Sequence, residues 1–221
     1  MAGDPSPIVF VDANVLAKPV TRTLLMRCAP SDWTVAWSQT VEHQASPHLP
    51  PQATPLARVR ELAGLDLSPT GCDAERFVGT SPTDRQVLAD AEAAHATFLV
   101  TEDVDDFDEA DLRAIGLSAV NPDLFWASQS NRDVYARTLT VMAAAMTNPS
   151  RTTSELHAAL ARQHPRLFRA HRDAFDVGPR LSGHSEPAVL YRGTTCLGCL
   201  KVFTPDKLDS VGRCPECARQ R

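Results

Sequence analysis

The 221-residue chain has no apolar run approaching the roughly 18 to 20 uninterrupted residues that cross a bilayer as a helix. Its opening, MAGDPSPIVFVD, lacks the basic start and apolar stretch of an export signal. Neither a membrane span nor secretion is expected, and a cytoplasmic location is. No internal repeat is found, which sets solenoid architectures aside. Positive charge is scarce in one half: residues 1–128 hold 8 Lys/Arg against 19 Asp/Glu, whereas residues 129–221 hold 14 against 8. That division lies behind the formal net charge of −5. An acidic half suits a site that collects divalent cations, and a basic half suits a surface that follows a phosphate backbone. Two solvated surfaces of unrelated sign would look the same. With 43% hydrophobic residues, the chain can bury one full-sized core and has length left for small satellites.

Ile8 to Val11 is a short apolar run ending in Asp12, with Asn14 and Pro19 behind it, so it reads as a buried strand handing over to a loop and helix. Asp12 then lies at a strand's C-terminal end, where ligands collect in open α/β sheets. A second unit is the alanine-rich helical stretch Asp84 to His95, the strand Phe98-Leu99-Val100, and the acidic loop Thr101-Glu102-Asp103. A third strand is expected over Leu117 to Val120, after a short helix from Glu109 to Ile115. This alternation predicts a parallel α/β sheet. Residues 44–56 hold four prolines and read as a loop. Beyond Trp126 the pattern is helical: Val134 to Met146, Thr152 to Gln163 with a Thr-x-x-Glu capping box, and Arg166 to Phe175. The Pro- and Gly-containing stretch from Gly178 to Glu186 reads as a linker to a terminal module starting near Leu190.

Metal-assisted phosphodiester hydrolysis needs carboxylates from separate elements, because Mg²⁺ and Mn²⁺ take hard oxygen ligands and keep open positions for water and phosphate. Asp12, Asp84, Asp103 and Asp106 meet that need from a strand end, a helix start and the loop after another strand. Acids at such places are also common for local reasons, and Asp84 could simply face a helix macrodipole.

Three successions, Val9-Phe10-Val11-Asp12-Ala13-Asn14-Val15-Leu16, Thr83-Asp84-Arg85-Gln86-Val87-Leu88-Ala89 and Leu99-Val100-Thr101-Glu102-Asp103-Val104-Asp105-Asp106-Phe107, together resemble the PIN-domain nucleases. The likeness is to the bacterial branch that includes toxins of toxin-antitoxin pairs, and it extends to Arg22-Thr23-Leu24-Leu25 and Trp37-Ser38. It covers about residues 8–127, with further similarity at Thr152 and at His164 to Leu167. It implies a metal-dependent endoribonuclease carrying Mg²⁺ or Mn²⁺ on Asp12, Asp84, Asp103 and Asp106, with RNA as substrate and a cognate antitoxin as partner. The family usually places a glutamate six residues after the serine of the Trp-Ser pair, and here that position is Gln44. Glu42 is the nearest acid and becomes the candidate, although two helical residues turn a side chain by about 200°. Lys18 and Arg22, after the first strand, are candidates to hold a scissile phosphate.

Four of the six cysteines form the pairs Cys196-Leu-Gly-Cys199 and Cys214-Pro-Glu-Cys217, a spacing suited to tetrahedral Zn²⁺. So short a segment needs the ion's binding energy to fold. The module resembles zinc ribbons, and Lys201 and Arg213 beside the ligands are candidate RNA contacts. The remaining thiols, Cys28 and Cys72, read as ordinary buried residues. His95, His157, His164 and His171, with Met142 and Met146, read as packing residues rather than ligands.

The expected organisation is a three-layer, parallel-sheet PIN-like nuclease domain (1–128), a helical extension (129–177), a linker (178–189) and a Cys₄ zinc ribbon (190–221). A non-catalytic PIN-fold module that binds nucleic acid or protein is the alternative that Gln44 favours. A DNA-directed nuclease and a homodimer both stay open.

Overall fold

The side chains of Ile8 to Val11 offer nothing to water, and in the computed structural model this segment lies inside a sheet, with Val9, Phe10 and Val11 wholly buried. The structure describes residues 7–28, 33–147, 149–175, 190–192 and 214–219. In chain order the elements are β1 (Ile8–Val11), α1 (Ala13–Leu16), α2 (Pro19–Cys28), β2 (Thr34–Ala36), α3 (Gln39–Ala45), α4 (Leu56–Ala63), α5 (Arg85–Ala93), β3 (Phe98–Val100), α6 (Glu109–Ala114), β4 (Ser118–Val120), α7 (Pro122–Gln129), α8 (Arg132–Ala145), α9 (Thr153–Gln163), α10 (Pro165–Ala170), β5 (Tyr191–Arg192) and α11 (Pro215–Ala218).

The sheet order is β2-β1-β3-β4-β5. Its first four strands are parallel, which makes the protein α/β as expected, and β5 adds an antiparallel edge. Val11 pairs with Val100, so the residues after β1 and β3, Asp12 and Thr101, emerge side by side. Parallel strands covered on both faces read as unbroken apolar runs. That is why β1, β3 and β4 are visible in the sequence and lie where expected. The three-residue β2 and the two-residue β5 carry no such signal. β5 also falls at the start of the segment expected to be a separate ribbon, yet it belongs to the main sheet, with Asn121 N donating to Leu190 O at 2.7 Å.

The proline-rich stretch is less irregular than its composition suggests. α3 runs to Ala45, Pro47 sits in a 3₁₀ turn (Ser46–His48), and Pro55 immediately precedes α4. Proline is tolerated at such helix starts because the missing N–H would have no partner there.

α8, α9 and α10 form where the helical extension was expected, with the Thr152–Glu155 capping box in place. They are not a satellite, however. Tyr135, Leu139, Leu156, Leu160 and Leu167 join the same buried cluster as the sheet. The buried Asp123 of α7 fastens the junction, accepting Arg166 N at 3.0 Å and Leu167 N at 2.8 Å and so capping α10. Thr21 of α2 meets His164 at 3.2 Å, and Tyr135 meets His157 at 2.7 Å. Of the four histidines read as surface or packing residues, His157, His164 and His171 are buried and His95 is exposed. Of the two thiols expected to be buried, Cys28 is and Cys72 is exposed.

Candidate functional site: an acidic cleft at the strand ends

Asp12 ends β1 and caps α1. One carboxylate oxygen accepts Ala13 N at 2.6 Å, and the other accepts the Thr101 hydroxyl at 2.7 Å. The Thr101 oxygen in turn accepts Asn14 Nδ2 at 3.1 Å and Asp103 N at 3.1 Å. Asn14 spans the gap between the two strand ends, donating to Asp103 Oδ2 at 3.0 Å while its Oδ1 accepts Glu102 N at 3.2 Å. Two loops from opposite ends of the chain's acidic half are thereby held in one register.

Asp84 arrives separately, at the N-terminus of α5, with Oδ2 accepting the hydroxyls of Ser81 at 2.7 Å and Thr83 at 3.1 Å. Gly71 allows the preceding loop to lie against α5: a Cβ there would stand 2.0 Å from Ala89 O. Its N–H donates to Asp90 Oδ1 at 2.8 Å. Asp106 comes from the 3₁₀ turn Val104–Asp106 that follows β3, and its carbonyl accepts Ser81 N at 3.3 Å, tying the turn to the Asp84 loop.

These four acids line one cleft of about 740 Å³ together with Asn14, Lys18, Gln44, His48, Phe107 and Gln163. That size lies within the range of small-molecule and substrate sites. Burial pushes the Asp12 carboxyl up to about 6; the Thr101 and Ala13 hydrogen bonds pull it down, and the charges of Asp84 and Asp103 push it further up. Asp106 is raised too, first by desolvation and then by Asp84, Asp103 and Asp105. The cleft therefore concentrates negative charge that its own hydrogen bonds do not neutralise. Among the described residues Lys18 is the only Lys or Arg lining it, and its ammonium is paired with Glu102. As the side chains stand, no three His, Cys, Asp or Glu residues among those described are grouped to grip one ion.

No protein-family model, curated protein or solved structure matches this chain.

The candidate residues divide cleanly by position. Asp12, Asp84, Asp103, Asp106 and Lys18 meet at the cleft, but Glu42 and Arg22 do not. Glu42 faces away: its Oε2 accepts Trp37 Nε1 at 3.0 Å and Arg60 Nε at 3.3 Å. Gln44, two residues further along α3, occupies the cleft wall instead, as the helical rotation between the two positions requires. Arg22 is likewise corrected from a substrate contact to an internal clamp. It is 3% exposed and donates to Leu16 O at 3.0 Å and Thr54 O at 2.9 Å, binding the end of α1 to the proline-rich segment.

Cys196, Cys199, Lys201 and Arg213 lie outside the described residues. Cys214 is the residue that caps α11 and is buried, and Cys217 lies within that helix. Sequence reasoning did not single out Thr101 and Asn14 as a network or His48 and Gln163 as cleft residues. For the first pair the available signal was a polar side chain immediately beyond a buried strand end. Gln163 reaches the cleft only because α9 packs back on the core, which no local pattern reports.

Proposed function

We propose that the protein is a metal-dependent nuclease acting on RNA, with its active centre in the acidic cleft and a PIN-like arrangement of the surrounding elements. The observation that carries this reading is the convergence of Asp12, Asp84, Asp103 and Asp106, from three separate chain segments, on one cleft at the carboxyl ends of parallel strands. The donor set fits Mg²⁺ or Mn²⁺: every candidate ligand is a hard oxygen, and the charges of Asp84 and Asp103 raise the proton affinity of Asp12 and Asp106, which a divalent cation relieves. Asp12, Asp84, Asp103 and Asp106 would hold the cation, Asp12 from its buried place and Asp103 and Asp106 from exposed ones. A bound cation supplies an acidified water and charge stabilisation for a phosphodiester. The chain's own contribution is to hold Asp12 rigidly through Thr101 and Asn14, and to keep Lys18 at the rim, where a phosphate can draw it from Glu102. Cys196, Cys199, Cys214 and Cys217 would hold a structural Zn²⁺. The likeness to toxin-type PIN proteins supports an antitoxin as a protein partner.

Incubating the purified chain with single-stranded RNA and DNA, with Mn²⁺, with Mg²⁺ and with EDTA, tests the reading. Asp12→Asn should abolish cleavage while leaving the circular dichroism spectrum unchanged, since it removes charge without altering shape. Metal-dependent cleavage surviving in that variant would overturn the assignment. Gln44 in the cleft favours a second reading, a non-catalytic PIN-fold module that binds nucleic acid or protein. Metal binding by calorimetry without cleavage of either nucleic acid would select it.

A further inference from the structure

α9 joins two features that have no sequence link. Its last residue, Gln163, lines the acidic cleft. Its outward face forms one wall of a separate groove of about 310 Å³, lined among others by Ser150, Arg151, Glu155, Ala158, Ala159 and Arg162. Glu155, Ala159 and Arg162 follow the i, i+4, i+7 spacing of one helical face, with the buried Leu156, His157 and Leu160 on the opposite side. Both arginines are exposed. Six other arginines are engaged: Arg22 on carbonyls, Arg60 on Glu42, Arg76 on Glu92, Arg85 on Glu75, Arg113 on Glu109 and Arg192 on Asp105, whereas the exposed Arg27 and Arg137 line neither this groove nor the cleft. Arg151 and Arg162 make no hydrogen bond or close ion pair among the described residues, although the charge of Arg151 acts on Glu155. The groove's one carboxylate, Glu155, is engaged at the capping box, accepting Thr152 N at 2.8 Å and the Thr152 hydroxyl at 3.0 Å. The two alanines between the guanidinium groups leave a floor without protruding side chains.

We infer that the α9 groove is a phosphate-binding track for single-stranded nucleic acid, with Arg151 and Arg162 holding the backbone of a strand that leaves the acidic cleft past Gln163. This rests on the nuclease reading of the cleft and adds the direction in which the substrate runs. α9 is about 16 Å long at 1.5 Å per residue. At 3.4 Å for each stacked nucleotide that length takes about five, and fewer if the strand is stretched. Guanidinium groups suit the role because they present a planar fork to phosphate oxygens and keep their charge at any working pH. The division of charge follows from this geometry: the cleft repels the backbone except where a cation sits, and attraction has to come from beside it.

The test is fluorescence anisotropy of the full chain carrying Asp12→Asn to prevent cleavage, without chelator, with labelled 12-nucleotide oligouridylate and oligothymidylate, between 50 and 200 mM KCl. For the double variant Arg151→Ala/Arg162→Ala, two lost contacts should lower the slope of log affinity against log salt by about 1.4. The affinity lost across that salt range should then shrink roughly sevenfold. A control with the same charge removed elsewhere, Arg58→Ala/Arg113→Ala, should keep the original slope. Equal behaviour of the two oligomers assigns the track to the shared phosphate backbone, whereas a slope change with oligouridylate alone assigns it to RNA. Wild-type affinity in the groove variant, or an equal loss in the control, overturns the track while leaving the nuclease reading intact. Absence of binding to both oligomers by the chain with Arg151 and Arg162 intact overturns the track, and absence of Mn²⁺-dependent cleavage by the unaltered chain overturns the nuclease reading beneath it.

Discussion

Glu42 and Gln44 show how much two positions matter on a helix. An acid placed at residue 44 would enter the cleft, and the acid actually present, at 42, is instead half-buried against Trp37 and Arg60. Glu42→Gln should therefore leave metal affinity and cleavage near those of the unaltered chain, while lowering stability by about 1 kcal/mol through the weakened pair with Arg60. Thermal unfolding and a cleavage assay on one preparation separate the two effects, and cleavage lost as completely as in Asp12→Asn would restore Glu42 as a ligand. Arg22→Ala should be costlier, on the order of 1 to 3 kcal/mol for each carbonyl left without its donor, with unfolding at lower denaturant as the readout. At this scale the sequence was legible wherever an acid follows a strand, as at Asp12 and Asp103. It was not legible where the outcome depended on helical phase, as at Glu42, or on a carbonyl supplied by a distant loop, as at Arg22.

The helices α8 to α10 are fastened by buried imidazoles rather than by apolar contact alone. Burial pushes His157 down to about 4, with His171 adding to the shift, and burial pushes His164 down to about 3, with Lys18 adding. A base whose folded value lies below its unfolded one takes up protons on unfolding. Its contribution is complete above the unfolded value of about 6.5 and is lost as pH falls toward 4. Each of these two histidines should then withdraw about 2 kcal/mol between pH 7 and pH 5. Chemical denaturation followed at the two pH values measures this, and His157→Phe should flatten the dependence; an equal drop in that variant would place the titration elsewhere. The elements themselves were largely legible, because β1, β3, β4 and α9 carry their periods and caps openly. β2 and β5 were not, being short strands whose formation depends on the partner strand beside them.

For the molecule as a whole, the boundary near residue 128 separates charge but not structure. Acidic and basic halves share one hydrophobic cluster, so neither is expected to fold without the other. Cutting the chain after Arg192 keeps β5 and removes the four-cysteine segment. That truncation should keep metal-dependent cleavage, lose its zinc, which for the full chain should be one ion per molecule by elemental analysis, and bind RNA more weakly with a shallower salt dependence. Zinc retained after the cut, or absent from the full chain, would remove the ribbon from the account. Composition made the division of charge legible, and cysteine spacing is the ground on which the ribbon is expected; the joining of the halves was not legible, because it rests on contacts such as Asp123 with the backbone of α10.

The last strand of the sheet also imposes a schedule on synthesis. β4 ends at Val120 and its partner begins at Tyr191, about seventy residues later. A ribosome adding 5 to 20 residues per second needs roughly four to fourteen seconds to cover that distance. Throughout that interval the outer edge of β4 offers unpaired backbone groups to any neighbouring nascent chain. Chains halted at residue 175 should accordingly sediment with polysomes as aggregates, and chains extended past residue 192 should not. Closing the sheet thus waits until long after β4 itself has been made.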